Sequence, residues 1–262
     1  LFVVRKERPV LLFTTAGPSS THLAGLILKK RFNLPWIAEI HDPLVSNSGK
    51  KRYQRYSFHK WLEKKIFQDA DAVIYFTEKA CKNAVLRTGI KNNSYVLRPG
   101  ANPPGVSLID YKRTDKIHFG HFGSLDTDRN LAQFLMVLTR LFLKEPCLRE
   151  KVVVDVFGTD LDETTKETVK ILSIEDIVCE HGRLEFDPGT GKSGRQQVFE
   201  KMHLCDVLIL VHGSSDINDE YIPSKVYEYF LTKRPIACIT SHNTELFSII
   251  ENPMPKIISI ST

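Results

Sequence analysis

The stretch CDVLILVHGSSDINDEYIPSKVYEYFLTKRPIACI, residues 205–239, decides the fold. It opens on an apolar run, 207–211, rich in Val, Leu and Ile and short enough for a strand buried on both faces of a parallel sheet. A polar loop follows, with Ser214, Ser215, Asp216, Asn218, Asp219 and Glu220. Pro223 then marks a helix start, because the N–H it lacks is one that a first helical turn leaves unpaired in any case. The helical pattern runs to Thr232, and Pro235 introduces a second apolar run, 236–239. Strand, loop, helix and strand in that order predict a parallel α/β unit whose ligand lies outside the carboxyl ends of the strands. The amides of Ser224, Lys225 and Val226 are expected to be unpaired within the helix and, with the Lys225 ammonium, to suit a phosphate. Glu228 follows Lys225 by three residues and shares its helix face. An ordinary solvated helix face shows the same Lys–Glu spacing, so physics alone leaves both readings open.

Working outward, the same alternation recurs on both sides of Asn102. Upstream, strands are expected at 10–13, 36–40, 71–76 and 94–97, with helices at 21–31, 78–87 and in the basic segment near 50–67. Thr77 is placed to cap the helix that follows it, and Gly89 to stop it. Downstream, strands are expected at 117–121, 151–157, 177–180 and 256–260, with helices at 131–144, 163–172, 196–202 and 246–250. This predicts an α/β fold of two Rossmann-like, doubly wound domains. The loop RPGANPPG and the polar stretch after it separate a first domain, 1–105, from a second, 116–262, through a linker at 106–115. The first residues resemble neither a signal peptide nor an initiator methionine, and no closing helix follows the last strand, so both domains are expected to be incomplete.

Composition narrows the function classes. An apolar fraction of 42% with 26% charged residues is that of a soluble globular protein. A net charge of +5 fits an anionic ligand or membrane surface and is weak evidence for nucleic acid. Cys81, Cys147, Cys179, Cys205 and Cys238 are scattered, odd in number and without metal-ligand spacing, which argues against a disulfide framework or a cysteine metal centre. That pattern favours a reducing, cytoplasmic setting, and no segment approaches a transmembrane span. Lys50, Lys51, Arg52 and Arg55 interleave with Tyr53, Tyr56 and Phe58, as on a nucleic-acid surface. The periodicity of Trp61, Leu62, Ile66 and Phe67 favours instead a basic amphipathic helix, either solvated or at the inner face of a membrane.

Several motifs bear on chemistry. GTGKSG, 189–194, suggests a phosphate loop, but the glycine that motif needs five residues before Gly191 is Phe186, so the segment reads as a flexible basic surface turn. Gly123 in FGHFGS and Gly158 in VFGTD stand at strand ends where a glycine lets backbone approach a nucleotide. The loop from Ser124 to Asn130 adds Arg129 as a positive charge, although such loops are common in α/β proteins. His41 ends the strand 36–40 and is read equally as an acid–base group and as a loop cap. No metal site is expected.

These residues together resemble a known family. EYIPSKVYEYFLTKRPIACI, 220–239, is similar to the carboxy-domain signature of the family-four retaining glycosyltransferases of the GT-B fold, in which a Glu and a second Glu flank seven residues and a Pro begins the next strand. IAEIHDP resembles the strand ending in that family's active-site histidine, here His41. DADAVIYFTEKA, RPGANPP, FGSLDTDRNLAQFL, VDVFGTD and HGRLEF resemble further segments, so the likeness covers nearly the whole chain. The resemblance implies two domains facing a cleft and a metal-independent transfer of sugar from a nucleoside diphosphate (UDP, GDP or dTDP type) to a glycan, lipid or small-molecule hydroxyl, with retention, as in polysaccharide or cell-envelope biosynthesis. It implies no permanently bound cofactor and no nucleic-acid partner. By position, it implies Glu220 and His41 at the sugar and Glu228 on the ribose. Arg129 and Lys225 would hold the diphosphate, Gly123, Gly158 and Arg183 would line the nucleotide, and Ser224 to Val226 would receive phosphate. Ser124 stands where the family usually has an arginine. The alternatives are a non-catalytic nucleotide-sugar-binding protein of the same fold and a nucleotide-sugar epimerase.

Overall fold

The computed structural model describes residues 2–15, 18–45, 56–91, 93–102, 105, 111–241, 243–251 and 258–261. The chain forms two compact units, one of Leu1–Pro99 with Ser215–Ile222 and Asn243–Glu245, the other of Gly100–Ser214 with Pro223–His242 and Leu246–Thr262. Of the expected linker, 106–110 lie outside the described residues, as do 46–55 of the basic segment.

The first unit runs α1 (Phe2–Glu7), β1 (Leu12–Thr15), α2 (Ser20–Phe32), β2 (Trp36–Ile40), α3 (Tyr56–Asp69), β3 (Ala72–Tyr75), α4 (Glu78–Thr88) and β4 (Ser94–Val96). Its strands pair in parallel in the order β1-β2-β3-β4. Trp36, Ala38 and Ile40 alternate into the core beside Leu62, Ile66, Phe67, Val73 and Tyr75. Burying each large apolar side chain contributes about 1.5–3 kcal/mol. The α4 caps follow the sequence: the Thr77 hydroxyl accepts from the Ala80 amide, and Gly89 closes the helix in the left-handed region. One expectation shifts. The opening charged segment is the helix α1, and the first strand lies at Leu12–Thr15, with Val10 and Phe13 exposed. Leu12 turns to the core and Phe13 to solvent, the alternation of a strand covered on one face.

The second unit runs β5 (Ile117–Gly123), α5 (Ala132–Lys144), β6 (Val152–Gly158), α6 (Glu163–Leu172), β7 (Val178–Gly182), α7 (Gly194–Leu204), β8 (Val207–Val211), α8 (Lys225–Thr232), β9 (Ile236–Thr240), α9 (Thr244–Glu251) and β10 (Ile258–Ser261). All neighbouring strands are parallel, in the order β10-β9-β8-β5-β6-β7. The chain winds outward through β6 and β7, returns to β8 beside β5, and winds the other way. This is the doubly wound order, and its reversal opens a crevice at the carboxyl ends of β5 and β8. In the first unit the order is sequential, without such a reversal among the described strands. Leu131, Leu135 and Leu138 pack with Val154, Val156, Ile209 and Val211 to form the core of the second unit. Among the described residues no helix is long and apolar enough to cross a membrane.

Candidate functional site

The carboxyl ends of β5 and β6 and the starts of α7 and α8 enclose a cavity of about 440 Å³. Gly123, Ser124, Gly158, Arg183, Lys225 and Glu228, all singled out in the sequence, line it. Two of its glycines are required by shape. Gly158 has φ +133, and a Cβ there would stand 2.3 Å from the Gly123 carbonyl oxygen. Gly123 has φ +122, and a Cβ there would meet the Lys225 ammonium at 2.6 Å. Side chains at these strand ends would fill the space that the backbone leaves open.

Lys225 opens α8 and is seated by that helix's packing. Val226 and Tyr229 are fully buried, and the Tyr229 hydroxyl donates to the Ile209 carbonyl at 3.1 Å, tying α8 to β8. The Lys225 ammonium donates to the Phe122 carbonyl at 2.6 Å. Burial, with the nearby charge of Arg129, pushes its pKa down to about 8, against the pull of Glu228. Of the amides expected to be unpaired, that of Val226 donates to the Pro223 carbonyl at 3.0 Å, because the helix enters through a tight turn. Ser224 is the residue before the helix and makes no side-chain cap.

The remaining cations divide. Arg183 is largely exposed and pairs with Glu185 at 3.0 Å. Arg129 does not line the cavity; its guanidinium grips the Asp126 carboxylate at 2.7 and 3.1 Å across a turn closed by backbone bonds between the same two residues. Sequence reasoning missed Arg195, which lines the cavity and pairs with Glu228 at 3.1 Å. The stretch GTGKSG places it. Its middle forms a turn over Asp187, while Ser193 and Gln196 form a reciprocal capping box that starts α7. The reading of this stretch as a surface turn is thus corrected at its end, where Gly194 lines the cavity beside Arg195. The signal was there in Ser-x-x-Gln at 193–196, a helix start that the search for a phosphate loop obscured.

In the first unit, His41 follows β2 and its Nε2 lies 2.6 Å from Glu39 Oε1 and 2.8 Å from Thr15 Oγ1. The register of β1 on β2 sets Thr15 opposite Glu39, and the Thr15 hydroxyl donates to Glu39 at 2.9 Å. Phe76 stacks on the imidazole at 4.4 Å. Glu39 was missed, although it is the one charge in WIAEI and stands two residues before His41, hence on the same side of an extended chain.

Glu220 is not among the residues that line this cavity. It belongs to the first unit, is 2% exposed, and accepts from the Asn83 amide at 2.8 Å with Arg87 3.7 Å away. Arg87 also holds Glu63 through two bonds of 2.8 and 3.0 Å, and the Thr77 hydroxyl donates to the Glu220 carbonyl at 2.6 Å. Burial raises the pKa of both carboxyls, against the hydrogen bonds of Asn83 and Arg87. The sequence expectation paired Glu220 with Glu228 at one donor; within its own unit Glu220 is held by Asn83 and Arg87. Among the described residues no group of three His, Cys, Asp or Glu side chains could hold a metal ion.

No family model and no curated protein matches the sequence. Solved structures do match the fold. Anabaena HepE in complex with UDP aligns with a TM-score of 0.64 at 15% identity, over 100% of this chain and 66% of that one. The same protein with UDP-glucose aligns at 0.62 and 14%, over 98% and 67%. An α,α-trehalose-phosphate synthase (UDP-forming) from Burkholderia vietnamiensis aligns at 0.64 and 11%, over 94% of this chain and 61% of that one. The chain thus spans about two thirds or less of the length of these proteins. At such identities the likeness establishes the fold: α/β, with two Rossmann-like parallel-sheet units of the GT-B kind.

Proposed function

We propose that this chain holds a nucleoside-diphosphate sugar in the cavity of its second unit and belongs to a glycosyltransferase of the retaining, family-four type. The observation that carries the reading is Lys225. A half-buried ammonium at the start of α8 faces a cavity at the carboxyl ends of β5 and β6, with a carboxylate one turn further along the same helix. The UDP and UDP-glucose complexes of a protein with this fold lend it support.

Each residue then has a physical task. Lys225 stabilises the negative charge that grows on the leaving diphosphate as the glycosidic bond breaks, which a metal ion would otherwise do. Glu228 accepts hydrogen bonds from ribose hydroxyls. Gly123 and Gly158 let the diphosphate and base approach the strand ends, beside Ser124 and Arg183. His41, held by Glu39 and Thr15, serves the sugar or the incoming hydroxyl. Glu220, expected at the donor sugar, is held in its own unit by Asn83 and Arg87. Among the lining residues Glu228 is the one carboxylate and is committed to ribose, so retention proceeds by front-face attack with the leaving phosphate taking the acceptor proton. The acceptor is a glycan, lipid or small molecule bearing a hydroxyl. On α3, exposed Lys60 and Lys64 beside half-exposed Trp61 support a lipid-linked acceptor at an anionic membrane face.

One observation favours a second reading, a protein that binds the donor without transferring it: Ser124 supplies no charge at the β5 strand end. Titration of the chain with UDP-, GDP- and dTDP-sugars, followed by calorimetry, tests binding. Glu228→Gln is expected to weaken the best donor at least about ten-fold, the scale of a lost hydrogen bond to a charged group. Unchanged affinity removes Glu228 from the site. Release of nucleoside diphosphate that needs an acceptor separates transfer from mere binding.

A further inference from the structure

We infer that Arg195 is the second cation of this cavity and that its ligand is recognised as a diphosphate, with the two phosphoryl groups shared between Lys225 and Arg195. The inference rests on the nucleotide-sugar reading of the cavity and goes beyond it by fixing which charge completes the site.

Lys225 alone falls short. It is a single ammonium, already donating to the Phe122 carbonyl, and a diphosphate presents at least two negative charges. Three arginines are near enough in sequence or space to be considered. Arg129 has Nε and Nη2 both on Asp126 and does not line the cavity. Arg183 also lines the cavity, but its Nε is on Glu185 and its side chain is 81% exposed, against 58% for Arg195. Arg195 lines the cavity, and its two hydrogen bonds both leave from Nη2, to Glu228 Oε1 at 3.1 Å and to the Asn102 carbonyl at 3.2 Å. A guanidinium carries five N–H groups in a planar fork. With both bonds on Nη2, the Nε–H on one side and the Nη1–H pair on the other each stay available to donate singly to a phosphate oxygen while Nη2 remains on Glu228. Ribose and diphosphate are joined through one methylene group, so a carboxylate that holds ribose and a guanidinium anchored on that carboxylate match the order of groups in the ligand.

The local fold is built to keep Arg195 there. At Gly194 a Cβ would stand 2.0 Å from the Leu184 carbonyl oxygen, so the first turn of α7 lies against the loop after β7 only because residue 194 is glycine. The capping box of Ser193 and Gln196 then fixes the direction in which the next side chain leaves the helix.

The test compares ligands that share a base and differ in phosphates. UDP, GDP and dTDP are titrated into the 262-residue chain, and the tightest is followed by its monophosphate and its nucleoside. Arg195→Gln is expected to weaken the diphosphate at least about ten-fold, the monophosphate less, and the nucleoside by under about two-fold. Arg195→Lys, which keeps the charge and loses the fork, should fall between. A thermal melt of each variant confirms that the chain is folded. Equal losses for diphosphate and nucleoside, or no loss for either, overturn the inference and leave the donor reading standing. Failure of the wild-type chain to bind any of the three diphosphates overturns both.

Discussion

At the scale of single residues, Lys225 makes the sharpest demand on experiment. An exposed lysine stays charged to beyond pH 10, whereas burial pushes this one down to about 8. The sign follows directly. Its charge is nearly complete at pH 7 and is lost as pH rises through about 8, so affinity for a nucleoside diphosphate should fall about ten-fold between pH 7 and 9. The bound anion favours the charged amine, so binding at pH 8 to 9 should also take up protons. Calorimetry in buffers of different ionisation enthalpy reads both effects, and Lys225→Met should remove the pH dependence along with much of the affinity. A flat profile in the wild-type chain would mean that Lys225 does not face the anion. Lys225 and Glu228 could be found in the sequence because one helix carries both, three residues apart. Arg195 could not be found in the same way. Its partnership with Glu228 spans 33 residues and depends on how α7 and α8 lie together.

At the scale of elements, the polar cluster between α3, α4 and the 215–222 segment has an energetic consequence. Glu63 is fully buried, Glu220 nearly so, and one guanidinium, Arg87, pairs with both. Arg87→Met leaves two buried carboxylates to be protonated or hydrated, at a cost of about 3–5 kcal/mol. Thermal melts should show that loss at neutral pH and a smaller one at acid pH, where the carboxyls take up protons. A melting temperature unchanged at pH 7 would show that the cluster does not hold the segment. Helix ends governed by local chemistry were legible: α6 begins and ends where the periodicity puts it, and Thr77 and Gly89 cap α4. Glu63 was not: it stands three and four residues before Ile66 and Phe67, on the apolar face of α3, and the arginine that satisfies it there comes from the next helix. The buried parallel strands were legible for a similar reason, because a run such as VLILV has no other stable place. The first strand failed that rule because β1 is covered on one face, with Leu12 turned to the core and Phe13 to solvent.

At the scale of the whole molecule, each unit keeps a histidine neutral in its interior. His22 in the first unit is fully buried against Thr14, and burial, with His41 nearby, lowers its pKa to about 4. His121 in the second is 1% exposed, and burial, with Lys225 nearby, lowers its pKa to about 3. An unfolded chain protonates both near pH 6.5, so between there and about pH 4 the unfolded state binds more protons and stability falls as pH falls. Full linkage of shifts this large comes to roughly 2–3 kcal/mol for each histidine by pH 4. In the first unit, Glu63 and Glu220 work against the trend, because their raised pKa values let the native state take up protons before the unfolded one. In the second unit the Asp126 and Asp187 pKa values are lowered and add to acid lability, as the lowered value of Asp71 does in the first, where Glu63 and Glu220 oppose it. Acidification should therefore unfold the second unit before the first, and amide exchange followed by residue from pH 7 to 4 should show protection lost around β5 and β6 ahead of β2 and β3. His121→Gln should flatten the response of the second unit alone. Equal loss in both units at every pH would refute the assignment of this acid response to the two buried imidazoles.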